Sequence, residues 1–236
     1  MIRYIWTLCV FMFCGTVLYA GSPLKDPMIP DHEHVQYTIR SADKVSTLIL
    51  NVEHGTIRGH QSYSISTISD SQNMSLEILR DGLLPLKNVR LQKDGRSDFL
   101  TTSEIGAIPV LYDDEILIVD FNDLSHVLRG YPFDHPRTLG IVFPYQVRDE
   151  KRKMSFMIKY VKSETINLQG GSYNSYKLQL AAQLSGGLSV FSGMIPKTYF
   201  WYSQEAPHTL LRYEGGTGPG GDEEIIMEMV HYRIDG

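Results

Sequence analysis

The sequence predicts a mainly β protein: a strongly curved antiparallel sheet, an open or half barrel, with one short helix as lid or plug. Three observations predict it. Short runs of β-branched and aromatic residues recur at a spacing of roughly 8–12 residues, with turn residues between them. One stretch alone carries a helical repeat. About fifteen strands, each with one apolar face, are too many to leave flat in water, so the sheet must curl around itself or a ligand.

The elements follow in chain order. Residues 21–34 hold Pro23, Pro27 and Pro30 and the run Asp31-His32-Glu33-His34. Prolines at that density deny a helix its hydrogen bonds, so this is an extended leader to a single β domain over 35–236. Strands are expected at Val35–Arg40, Ser46–Val52, Gln61–Ile68, Ser75–Arg80, Leu86–Gln92 and Ser97–Thr102. Pro109–Tyr112, Ile116–Val119 and Gly140–Tyr145 follow, then Met154–Val161, Glu164–Leu168 and Tyr173–Leu184. Lys197–Ser203, Thr209–Glu214 and Glu224–Ile234 complete the set. Asp81-Gly82, Asp94-Gly95, Gly170-Gly171, Gly186-Gly187 and Gly215–Gly221 supply the turns of an antiparallel meander.

The exception is Phe121–Gly130, where Leu124, Val127 and Leu128 stand at i, i+3 and i+4. Asn122 or Asp123 is its expected cap and Gly130 its stop. A two-turn helix is stable only on a support, so its apolar stripe should cover the sheet or one open end of it.

Faces are legible in the later strands. Phe156, Ile158 and Tyr160 share one side, and so do Tyr176, Leu178 and Leu180, with Lys177 and Gln179 opposite. Ile225, Met227 and Met229 stand opposite Glu224 and Glu228. Tyr199-Phe200-Trp201-Tyr202 sends aromatics to both faces, so that strand is either covered on both sides or lines a cavity with one of them. Lys177, Arg212 and Glu214 read as a solvated face with cross-strand ion pairs.

Composition sets the compartment. The chain has 236 residues, 42% hydrophobic, with 22 basic against 27 acidic residues. That excludes a nucleic-acid binder built on a basic surface. Arg3, an apolar run of about fourteen residues from Ile5 to Leu18, and the small residues at 20–22 make a secretory signal peptide over 1–20. The run is short of the roughly 20 residues a spanning helix needs. Cys9 and Cys14 leave with it, and neither follows a Leu-small-small run that would serve for acylation. Loss of Arg3 lowers the basic count from 22 to 21 and the net charge from −5 to −6. A cysteine-free chain suits an oxidising compartment. The periplasm is the expected location, with secretion as the alternative.

Chemical motifs are sparse. His32-x-His34 with Asp31 and Glu33 has ligand types but lies in the proline-rich leader, so no metal site is expected there. The other histidines lack the His-Glu-x-x-His spacing, Ser189–Gly193 lacks the nucleophile elbow, and Gly215–Gly221 lacks the Lys-Ser/Thr end of a phosphate loop. Asp113-Asp114-Glu115 is an acidic tip without a calcium-loop pattern. Neither catalysis nor a cofactor is expected.

Several motifs together resemble a known family. Asp123-Leu-Ser125-His-Val-Leu-Arg129 is followed by Tyr131-Pro132-Phe133 and Gly140. Glu164-Thr-Ile precedes Gly170-Gly-Ser-Tyr173-Asn-Ser-Tyr176-Lys177-Leu178. Phe200-Trp201-Tyr202-Ser203 leads to Pro207-His208 and Leu211-Arg212-Tyr213, and Gly82-Leu-Leu-Pro85 and Asp94-Gly95-Arg96 lie upstream. In that order, over roughly residues 35–235, they resemble an uncharacterised periplasmic family, domain of unknown function 3108. The resemblance implies a fold similar to the periplasmic lipoprotein carriers, whose unclosed barrel surrounds a hydrophobic cavity. It implies an envelope protein that binds a lipid or lipoprotein acyl chain. Trp201, Tyr199, Phe156, Ile158, Tyr176, Leu178 and Leu128 are the expected ligand wall. The alternative is a filled barrel that docks an envelope protein partner; a hydrolase is a further, weaker alternative.

Overall fold

In the computed structural model, residues 22–93, 98–104, 116–147, 150–183, 197–218 and 223–235 are described. The segment 1–20, the turns at Asp94-Gly95 and Gly186-Gly187, the strand expected at Pro109–Tyr112, Asp113–Glu115 and Ser189–Gly193 lie outside these residues.

Among the described residues thirteen strands form one sheet. The first six are β1 (Glu33–Arg40), β2 (Val45–Ile57), β3 (His60–Ser69), β4 (Gln72–Leu79), β5 (Pro85–Lys93) and β6 (Asp98–Glu104). Then come β7 (Ile116–Ile118), β8 (Leu139–Val147), β9 (Glu150–Leu168) and β10 (Gly171–Ala182). The last are β11 (Thr198–Ser203), β12 (Leu210–Gly216) and β13 (Glu224–Ile234). Their order across the sheet is β6-β5-β4-β3-β2-β1-β13-β12-β11-β10-β9-β8-β7. Strands next to each other in sequence pair in the sheet, except that β6 and β7 stand at opposite edges and β1 meets β13 in the middle. The edges β6 and β7 do not pair with each other among the described residues, so the curled sheet is open.

Two features depart from a simple meander. β7 pairs with β8 in parallel, not antiparallel. The helix and the loop after it carry the chain back to the end where β7 began, so β8 leaves in the same direction. Met154–Val161 and Glu164–Leu168 are one continuous strand, β9. Its register against β10 shifts between Lys177 and Leu178, which leaves Val161 as the extra residue. A bulge lets a long strand bend without ending.

The helix α1 (Leu124–Val127) has a 3-10 turn on each side, Phe121–Asp123 and Leu128–Gly130. The helical segment is capped at its start by Asp120, whose carboxylate accepts the Asn122 N–H at 2.9 Å; Asp123 stands at the N-cap position of α1, but its side chain makes no cap bond. Leu124, Val127 and Leu128 are buried in the core as a plug within the curled sheet. Tyr202 of β11 donates its hydroxyl to the Ser125 carbonyl at 2.8 Å and ties the plug to the wall.

The leader closes one end. Lys25 N–H donates to the Gly130 carbonyl at 2.9 Å, and Leu24 and Ile29 are buried. Asp26 accepts from the Tyr63 hydroxyl at 2.5 Å and from Arg80 Nε at 3.0 Å. A Cβ at Gly130 would lie 2.3 Å from the Lys25 carbonyl oxygen, so this crossing needs glycine.

Candidate functional site

The leader occupies the end of the curl where β2 and β4 finish and β3 starts. The opposite end holds a cavity of about 550 Å³. Its walls are the concave sides of β1–β4, β12 and β13, with Arg90 of β5 and Phe200 of β11, and its floor is the helix segment.

The walls change polarity at one level. At β2, Lys44 just before the strand and Ser46 on it form the rim and precede Leu48 and Leu50 deeper in. Just after β1, Ser41 stands above Ile39 and Tyr37, and at β4 Gln72 stands above Met74. Ahead of β13, Glu223 precedes Ile225 and Met227. Alternation in a strand places every second residue on one face, so β1, β2, β4 and β13 with their ends deliver polar and then apolar residues to the same surface, whereas β3 adds the polar Thr67 and Ser69.

The floor is mostly polar. Asn122, Ser125, His126 and Arg129 line the cavity beside Phe121. Their i, i+3, i+4, i+7 spacing is one side of a helical turn, the reverse of the stripe Leu124, Val127 and Leu128. Arg129 is 3% exposed and bonds Glu33 in bidentate form, Nη1 at 2.7 Å and Nη2 at 2.9 Å. Its Nε donates to the Pro207 carbonyl at 3.1 Å. Arg90 pairs with Asp120 at 2.6 Å. Beside them, burial and then Arg129 hold His126 down to about 3, so its imidazole is neutral. Burial, and then Asp120, pushes the Asp123 carboxyl up to about 8. Asn88 donates to its Oδ1, and its Oδ2 has no partner.

None of the seven residues expected as a ligand wall lines this cavity. Leu128, Ile158 and Leu178 are fully buried in the core, and Phe156 packs on Phe143 at 5.1 Å. Tyr176 stacks on Phe133 at 4.5 Å. Trp201 and Tyr199 stand on the outer face, where Lys177 Nζ lies 4.3 Å from both rings. Trp201 donates its indole N–H to Glu164 at 2.8 Å. The aromatic run is thus covered on both sides, by cations outside and by core inside. Lys177, Arg212 and Glu214 belong to an outer ribbon of ion pairs that also includes Glu164, Glu228 and Arg40.

Sequence reasoning missed Phe200, the aromatic of that run that does line the cavity. The signal was present in the register: Phe200 lies opposite Leu178, and Trp201 opposite Lys177. It missed the Arg129–Glu33 pair as well, which joins residues 96 apart. The motif residues Phe133, Tyr176, Tyr202 and His208 meet in one aromatic cluster around Phe133. Asp31 to His34 do not converge: Glu33 is committed to Arg129, and His34 bonds Asn51 at 2.7 Å. Among the described residues no group of three or more His, Cys, Asp or Glu side chains could hold a metal ion.

The fold and cavity define a class, the open curled antiparallel sheet plugged by a helical turn. No protein-family model matches the chain, and no curated protein matches it. The resemblance to domain of unknown function 3108 therefore stays one of short motifs. Among solved structures the chain is similar to a β-barrel-like protein of domain of unknown function DUF1849 from Brucella abortus. The identity is 8%, the match covers 90% of this chain and 100% of that one, and the TM-score is 0.45. It is also similar to the hypothetical lipoprotein YmcC from Escherichia coli, at 13% identity, 88% and 92% coverage and a TM-score of 0.37. No helix among the described residues is long and apolar enough to cross a membrane.

Proposed function

We propose that the chain is an exported, periplasmic protein of envelope biogenesis that holds one mainly apolar molecule, a lipid or acyl chain, without catalysis. The observation that carries this reading is the layered wall: polar rim, apolar belt, one level across several strands. Such layering fits a molecule that buries a chain and leaves a polar part near water. A volume of about 550 Å³ lies within the roughly 300–1,000 Å³ of small-molecule sites, room for one such molecule. Shielding apolar surface contributes about 25 cal/mol per Å², part of which is offset by lost motion. The signal peptide over 1–20 belongs to the same reading, because an apolar cargo needs a carrier in an aqueous compartment.

Native mass spectrometry of protein purified from periplasm without detergent tests it. The expected spectrum contains the chain plus an adduct that organic extraction removes. The rival reading, a filled barrel that docks an envelope partner, has the packed core of β8–β11 in its favour, where Leu139, Ile141, Ile158 and Leu178 are fully buried. A bare chain that also takes up no added amphiphile would decide for that rival.

A further inference from the structure

The floor of the cavity holds a group that nothing in the fold uses. His126 is 8% exposed and lines the cavity, and neither ring nitrogen has a hydrogen-bond partner among the described residues. The ring nitrogens are not among the buried side-chain atoms left without a partner, so they are open to the cavity and free to meet what enters it. We infer that His126 recognises the leading end of the ligand, and that this end is a neutral O–H group, a hydroxyl or an undissociated carboxyl. The inference rests on the cavity being a ligand site.

The surroundings narrow the chemistry. A neutral imidazole offers one donor and one acceptor, the complement of an O–H group. The cations at the floor are already committed, Arg129 to Glu33 and Arg90 to Asp120. An anionic head there would lose its water and meet two carboxylates whose charges are already balanced. A cationic head would meet Arg129. A bare alkyl end would cover the imidazole and leave it unpaired, at a loss of about tenfold in affinity. Ser125 and Asn122 extend the same polar stripe to either side of the histidine.

Titration of the full chain with dodecanol, chlorododecane and dodecyl sulfate below its micelle threshold tests this. Dodecanol should bind about tenfold more tightly than chlorododecane and shift the His126 ring-nitrogen resonances. His126→Phe should abolish that preference and still bind chlorododecane. His126→Gln, which keeps a donor and an acceptor, should restore it. Equal binding of dodecanol and chlorododecane by the unmodified chain overturns the inference and leaves the cavity reading intact. So does a preference that survives in His126→Phe, or dodecyl sulfate binding most tightly. Binding of none of the three overturns the cavity reading itself, and this inference with it.

Discussion

Arg129 and Glu33 sit where a mistake is costly. Their side chains are 4% and 0% exposed, and Thr209 Oγ1 lies 3.4 Å from Arg129 Nη2. Removing one partner leaves the other charged, buried and alone, so Arg129→Met should lower stability by about 3–5 kcal/mol in urea denaturation. Arg129→Met combined with Glu33→Leu should recover part of that loss, because the desolvation cost leaves with the pair. Two other buried groups give the molecule a pH profile. Asp123, raised to about 8 from 3.8, holds a proton in the folded chain that the unfolded chain releases. Its contribution is complete below about pH 4 and is lost as pH rises through 8. His126, lowered to about 3 from 6.5, runs the other way: its contribution is present above pH 6.5 and lost as pH falls toward 3. The two slopes oppose each other between about pH 4 and 6.5, and above that Asp123 acts without His126. Asp123→Asn keeps an acceptor for Asn88. It should remove a fall in stability of up to about 1.4 kcal/mol per pH unit between about pH 6.5 and 8. Denaturant melts of both proteins at those two pH values check it; parallel slopes contradict it.

The helical segment is held from three sides: Asp120 caps it, Tyr202 grips Ser125, and the leader crosses it at Gly130. Gly130→Ala places a methyl against the Lys25 carbonyl and the Leu83 side chain, a backbone contact that cannot turn aside. It should cost about 1–3 kcal/mol and raise hydrogen exchange at the Lys25 amide, whose partner is the Gly130 carbonyl. The positions of strands and helix were legible in the sequence because alternation, turn chemistry and helical spacing are local. The parallel β7–β8 pair and the single β9 were not, because pairing direction and bulges are settled by distant partners. The cap shows the same limit at short range. Asp120, Asn122 and Asp123 lie within four residues; Asp123 turns to Asn88, and Asp120 serves the start of the segment.

At the scale of the molecule, two halves of a meander meet at β1 and β13 and curl around one helical plug. The leader fills one end and the cavity opens at the other. The curl was legible from the number of one-sided strands. The place of the cavity was not, because it depends on which strand ends face each other once β13 has closed onto β1. The core is shared by β8–β11 and by β1–β4, whereas the cavity wall comes from β1–β4, β12 and β13, with Arg90 from β5 and Phe200 from β11. A wall with polar rim and apolar belt is built from strands of mixed character, which a search for the strongest hydrophobic runs passes over. The central claim is that this space holds a chain-like ligand. Leu48 stands half-buried on its wall, so Leu48→Trp should fill it from the side without touching the floor. The most direct measurement is the affinity of dodecanol for the unmodified chain and for Leu48→Trp, with a thermal melt of each to show that both are folded. The account predicts saturable one-to-one binding that weakens at least about tenfold in the variant. Unchanged affinity in a folded Leu48→Trp protein would contradict it.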